Sequence, residues 1–124
     1  MESGMMTRNE VVAACLRFPG AYEDYPFDPP TSAAMRHRAN RKIFALIFER
    51  GGKVWVNVKA EPLRADFWRD VYPAVVPGFH MNKRHWISVC FNRGLADERI
   101  CELVRDSYEL VVASLPKRMR EALR

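Results

Sequence analysis

Lys42-Ile43-Phe44-Ala45-Leu46-Ile47-Phe48-Glu49-Arg50-Gly51-Gly52-Lys53-Val54-Trp55-Val56-Asn57-Val58-Lys59 is the stretch that decides the fold. The run over 42–48 is continuously apolar after its first residue, the pattern of a central strand buried on both faces. Gly51-Gly52 supplies the positive φ angles of a tight two-residue hairpin. On the return, Val54, Val56 and Val58 alternate with Trp55, Asn57 and Lys59, which predicts one core face and one more polar face. A β-meander therefore lies at the centre of the chain.

Working upstream, 35–39 suits another strand, and the Pro-rich, acidic-aromatic segment 21–32 is too broken for more than a short strand or extended loop. Before it, Thr7-Arg8-Asn9-Glu10 has the form of a capping box. It should start a helix over 8–18 with Val11, Val12, Cys15 and Leu16 on its apolar stripe, ended by Pro19-Gly20. Downstream, Pro62 opens a second amphipathic helix to Tyr72, with Leu63, Phe67 and Val71 at helical spacing and Trp68 beside them. Strands over 76–79 and 86–91 flank a basic segment. The last long helix, 97–114, carries Ile100, Leu103, Val104, Ser107, Leu110 and Val111 on one stripe, and a short basic helix closes the chain. Helices and antiparallel strands in this order predict an α+β fold, a sheet packed against N-terminal, middle and C-terminal helices.

At 124 residues the chain fits one domain, 1–124, with residues 1–6 as a frayed start. No apolar run approaches the roughly 20 residues of a membrane helix, and no secretory pattern opens the chain, so a soluble cytoplasmic protein is expected. Three scattered cysteines, Cys15, Cys90 and Cys101, fit neither a disulfide framework nor a zinc motif and read as reduced thiols. His80 and His85 lack a carboxylate or cysteine between them and His37 is remote in sequence, so no metal is expected. There is no GxSxG elbow, phosphate-binding glycine loop or nucleophile and base pair, hence no enzyme and no cofactor. Ser107, on an apolar stripe, is expected to bond back to its own helix.

Charge is the informative quantity. The net charge is +5, and it is segregated. Residues 29–60 hold seven basic side chains against Glu49 alone, and 71–96 contain no carboxylate. Residues 97–114 run the other way, with five acids against Arg99 and Arg105. A protein with one cationic face requires such a distribution, although basic residues also solvate strand edges. Within Asn82-Lys83-Arg84-His85-Trp86, Lys and Arg can neutralise phosphates, Asn can contact a base edge and Trp offers a stacking plate. The same residues could instead form a turn leading into a strand, with Trp86 in the core. Tyr22-Glu23-Asp24-Tyr25 could hold basic side chains in place or merely lock a loop.

Four motifs in order, Phe18-Pro19-Gly20-Ala21-Tyr22-Glu23-Asp24-Tyr25-Pro26-Phe27, Lys42-Ile43-Phe44-Ala45-Leu46, Val76-Pro77-Gly78-Phe79-His80-Met81-Asn82-Lys83-Arg84-His85-Trp86 and the segment from Ser107 to Lys117, resemble the YjbR/MmcQ family of small bacterial proteins. The resemblance implies a compact YjbR-like α+β domain that binds DNA. Where that family has small, glycine-containing residues before the Lys-x-Phe-Ala strand, this chain has Arg38-Ala39-Asn40-Arg41, which adds positive charge. The expected nucleic-acid surface comprises Arg36, Arg38, Arg41, Lys42, Asn82, Lys83, Arg84 and Trp86, contacting phosphates with little sequence preference. Tyr22, Tyr25, His80 and His85 are candidates for an adjoining pocket, and Tyr22, His80, Asn82 and Trp86 together could line a small-molecule cavity. The rival class is a chaperone-like module receiving a peptide on the sheet and the Tyr22, Tyr25 and Phe79 surface. With no heptad seam, a monomer is expected.

Overall fold

A computed structural model describes residues 6–122. Thr7 caps α1 (Arg8–Leu16) through a complete capping box: its hydroxyl accepts from the Glu10 amide at 3.2 Å, and the Glu10 carboxylate accepts from the Thr7 amide at 2.8 Å. Most of the expected frayed start, residues 1–5, lies outside the described residues. Met6 is half-buried and packs against the core.

Beyond α1 the chain forms β1 (Ala21–Asp24), β2 (Ala33–His37), β3 (Ile43–Arg50), β4 (Lys53–Lys59), α2 (Pro62–Val71), β5 (Val75–Pro77), β6 (Trp86–Cys90), α3 (Asp97–Ala113) and the short α4 (Lys117–Glu121). The six strands pair antiparallel in the order β1-β2-β3-β4-β6-β5. Gly51 and Gly52, at φ 61° and 76°, make the β3–β4 hairpin as the sequence predicts. One sheet face, with Met35, Ala45, Ile47, Val56, Val58, Ile87 and Val89, is buried against Val11 and Cys15 of α1, Ala65 and Trp68 of α2, and Ile100, Val104 and Val111 of α3. The result is the expected α+β layer pair.

Five local expectations are corrected. Strand β2 begins two residues earlier than the pattern suggests, because residues 38–41 are taken by a turn: Arg41 sits at φ 61° and its amide donates to the His37 carbonyl at 2.7 Å. The second face of β4 is not polar and exposed, since Asn57 is wholly buried and Trp55 nearly so. Leu16 is exposed at the end of α1, and Tyr108 takes the buried place expected of Leu110 in α3. On α2 the buried side is Ala65 and Trp68, and the Leu63, Phe67 and Val71 stripe points outward, 83%, 55% and 47% exposed. Both sets recur at helical spacing, so periodicity cannot choose between them. The small Ala65 permits close approach, and Trp68, stacked on Tyr72 with centroids 5.2 Å apart, supplies the larger contact area.

Between β2 and β3 the register shifts, Met35 facing Ala45 but Arg36 facing Ile43, which leaves Phe44 as the extra residue of a bulge. Its ring turns into the core, edge-on to Tyr108 at 5.2 Å and to Phe18 at 5.8 Å. Ser107 of α3 closes the gap in the β3–β4 ladder. Its hydroxyl donates to the Phe44 carbonyl at 2.6 Å and accepts from the Lys59 amide at 2.8 Å. The expected bond within its own helix is thus replaced by a tie between α3 and two strands.

Candidate nucleic-acid interface

The helices cover one face of the sheet, and strand alternation assigns the other face to Tyr22, Asp24, Arg36, Leu46, Phe48, Trp55, Asn57, Lys59, Trp86 and Ser88. Register orders these residues into rows. Tyr22 pairs with Arg36 and Arg36 with Ile43 on one side, and Lys59 with Trp86 on the other; the bulge at Phe44 separates the two sets, and β1 and β6 stand about 19 Å apart at four strand spacings. The two basic segments, remote in sequence, therefore lie at the same end of the sheet.

At the β1–β2 side of that row, Tyr22, Asp24, Arg36, Arg38 and Arg41 line an open groove of about 630 Å³. Arg36 is committed to the scaffold: its Nε pairs with Asp24 at 2.8 Å and its Nη1 donates to the Arg41 carbonyl at 2.7 Å. Arg38 and Arg41 are exposed, the Arg38 guanidinium lying 5.7 Å from the Tyr22 ring centroid. Lys42 reaches Ser114 Oγ at 3.2 Å, joined by Asn40 at 3.4 Å, so the C-terminal end of α3 adjoins this turn. The short α4 that follows does not join the open face: Lys117 and Arg120 line a concavity with Tyr108, Glu109 and Val112 of α3.

At the β6 side the basic motif is partly structural. The Lys83 ammonium donates to the Gly78 carbonyl at 2.6 Å, and Asn82 Oδ1 accepts from the Arg84 amide at 2.9 Å. The Arg84 side chain and His85 are exposed, and Trp86 is half-buried. Gly78 is required here, since a Cβ would lie 2.9 Å from that of Trp86. Tyr25 is exposed and donates to Glu23 at 2.7 Å, a bond that leads the rise of its pKa above the usual phenol value.

The lower half of this face is organised by two wholly buried polar side chains, Asn57 and Ser88. Ser88 accepts from the Phe79 amide at 2.9 Å and donates to Asn57, whose Nδ2 donates to the Phe79 carbonyl at 3.0 Å. Residue 79 is thereby pinned on both sides, with its ring against Trp55 at 5.1 Å and Phe48 at 6.1 Å. Arg50 caps the ring with its guanidinium 4.2 Å from the centroid. His80 follows in the left-handed region at φ 60°. The small-molecule cavity envisaged from Tyr22, His80, Asn82 and Trp86 is divided: Tyr22 lines the arginine groove, while His80 lines a separate open concavity with Phe79 and Asn57.

The third histidine, His37, is buried in the core face beside Tyr108, at 5.9 Å between centroids. Its Nδ1 accepts from the Ala39 amide at 3.0 Å, which places the proton on Nε2, and burial lowers its pKa below the ordinary imidazole value. Among the described residues no group of His, Cys, Asp and Glu is arranged to hold a metal ion. Burial raises the thiol pKa values of Cys15, Cys90 and Cys101, that of Cys15 to about 12, so none is an activated nucleophile.

The YjbR family profile matches residues 16–110. The chain is 35% identical over 100 residues to Escherichia coli O157:H7 YbdF, covering 81% of this chain and 80% of that one. It is 31% identical to YjbR of E. coli K12 over 118 residues, 95% of this chain and 98% of the relative. Among solved structures, Deinococcus radiodurans DR2400 superposes with a TM-score of 0.86 at 26% identity, covering 99% of this chain and 91% of that one. A Pseudomonas syringae protein gives 0.75 at 28% identity, covering 85% and 98%.

Proposed function

This chain belongs to the YjbR family, and from that premise we propose that it binds nucleic acid, DNA foremost, by taking phosphates on the cationic end of its open sheet face. The observation that carries the reading is the pair Arg38 and Arg41 beside the half-exposed Tyr22 in one groove, with Arg84 and Trp86 at the same end of the sheet and Asp24, the acid of the groove, already paired. Cations interleaved with aromatic plates suit a polyanion whose backbone is neutralised without base-specific bonds. The protein acts as a binding protein and not an enzyme, in a reducing cytoplasm that keeps its three thiols free. No described helix is long and apolar enough to cross a membrane.

Fluorescence anisotropy of a labelled duplex, titrated at several salt concentrations with wild type, Arg38→Ala/Arg41→Ala and Lys83→Ala/Arg84→Ala, tests the reading. Steeply salt-dependent binding weakened in both variants is expected. Absence of binding even at low salt refutes it. A second reading, a protein-interaction module, is favoured by the outward apolar stripe of α2, with Leu63 83% exposed; under it both double variants leave partner binding intact.

A further inference from the structure

The concavity on the lower half of the open face is built for an aromatic ligand part carrying negative charge nearby. It measures about 550 Å³, inside the range of roughly 300–1,000 Å³ typical of small-ligand sites. It is lined by Leu46 and Asn57, which pair in register, by Phe48 and Phe79, and by the cations Arg8 and Arg50 against the single acid Glu49. Two features mark it as a prepared site. Phe79 is held by both its amide and its carbonyl through the buried Asn57 and Ser88, a costly use of two polar side chains unless residue 79 must stay in place. His80, lining the same concavity, occupies a left-handed conformation that non-glycine residues seldom adopt, and such residues cluster at ligand clamps.

The site also adjoins the proposed phosphate surface. Arg36 shares a row with Ile43, Leu46 lies on the next row and Phe48 on the one after, so about 13 Å of strand separates the arginine groove from the aromatic concavity. A duplex keeps its bases stacked and paired and cannot offer a π-face to the concavity. An unpaired strand can place its backbone on Arg38 and Arg41 and turn a base into the concavity, with its neighbouring phosphate on Arg8 or Arg50.

We infer that the preferred ligand of this face is single-stranded nucleic acid, with one unpaired base seated in the concavity against Phe48 and the Arg50 guanidinium that covers Phe79. The inference rests on the nucleic-acid reading above, and its test separates the two. Anisotropy is measured with a labelled oligo-dT and with a duplex of equal length, for wild type, Phe79→Leu and Arg50→Gln. Circular dichroism checks that each variant is folded; Phe79→Leu removes the ring on which the Arg50 guanidinium rests, and Arg50→Gln removes the guanidinium itself.

The single strand is expected to bind about tenfold more tightly than the duplex, and each variant to lose about tenfold on the single strand while duplex binding holds, in line with the loss of one base–aromatic stack. Equal affinity for the two ligands, or an unchanged single-strand affinity in folded Phe79→Leu, overturns the inference and leaves the phosphate reading standing. Binding of neither ligand at low salt overturns both.

Discussion

Ser107→Ala removes a single oxygen and should cost this domain about 3 kcal/mol, because that oxygen serves two backbone groups at once. The wholly buried hydroxyl donates to the Phe44 carbonyl at 2.6 Å and accepts from the Lys59 amide at 2.8 Å. Each buried backbone group left without a partner costs about 1–3 kcal/mol, so two give about 2–6 kcal/mol. Partial closure of the β3–β4 ladder around the vacated space brings the expectation toward the lower half of that range. For a chain of 124 residues the corresponding fall in Tm is about 10–15 °C. Urea unfolding followed by circular dichroism measures the free energy, and amide exchange read at Lys59 reports the bond itself, which should lose protection in the variant. A loss below about 1 kcal/mol with the Lys59 amide still protected would refute the reasoning. It would mean that the strands pair directly and that Ser107 bonds within its own helix.

Arg38→Ala/Arg41→Ala should lower the slope of log K against log salt for duplex DNA by about 1.8, two phosphate contacts at about 0.9 each; an unchanged slope removes both residues from the interface. Gly20→Ala should destabilise by more than about 1 kcal/mol, because Gly20 lies at φ 77° and a Cβ there would approach His37 Nε2 to 2.7 Å; a wild-type melting curve counts against the packing described. For His37 the sign follows from its lowered folded pKa: the unfolded imidazole takes up a proton near 6.5 while the buried one stays neutral. Stability from this group is full above about pH 6.5 and declines as pH falls from there toward the folded pKa, so urea midpoints should drop between pH 7.5 and 5.5, and less so in His37→Phe. Leu63→Ser should change stability by less than about 0.5 kcal/mol, since that side chain is 83% exposed; a loss of 2 kcal/mol in the isolated protein would restore it to the core.

What the sequence determined by itself is whatever local chemistry controls. The Thr7 and Glu10 cap, the Gly51-Gly52 turn and the apolar run of β3 each carry their own physical cause within a few residues, and the α+β order follows from stringing them together. The segregation of charge was equally legible, because it is a property of counting. Contacts between distant segments were decided by tertiary structure. Helical spacing on α2 allows two faces, and only the approach of the sheet selects Ala65 and Trp68 over Leu63, Phe67 and Val71. Asn57 and Ser107 look like exposed or self-bonded polar residues until β6 and the 78–85 loop, or the bulge at Phe44, surround them with partners. That the 38–42 turn and the 82–86 motif share one end of the sheet depends on strand order, β6 inserted between β4 and β5. Hydrophobic burial and unsatisfied backbone groups settle those choices across the whole chain at once, so no window of sequence contains them.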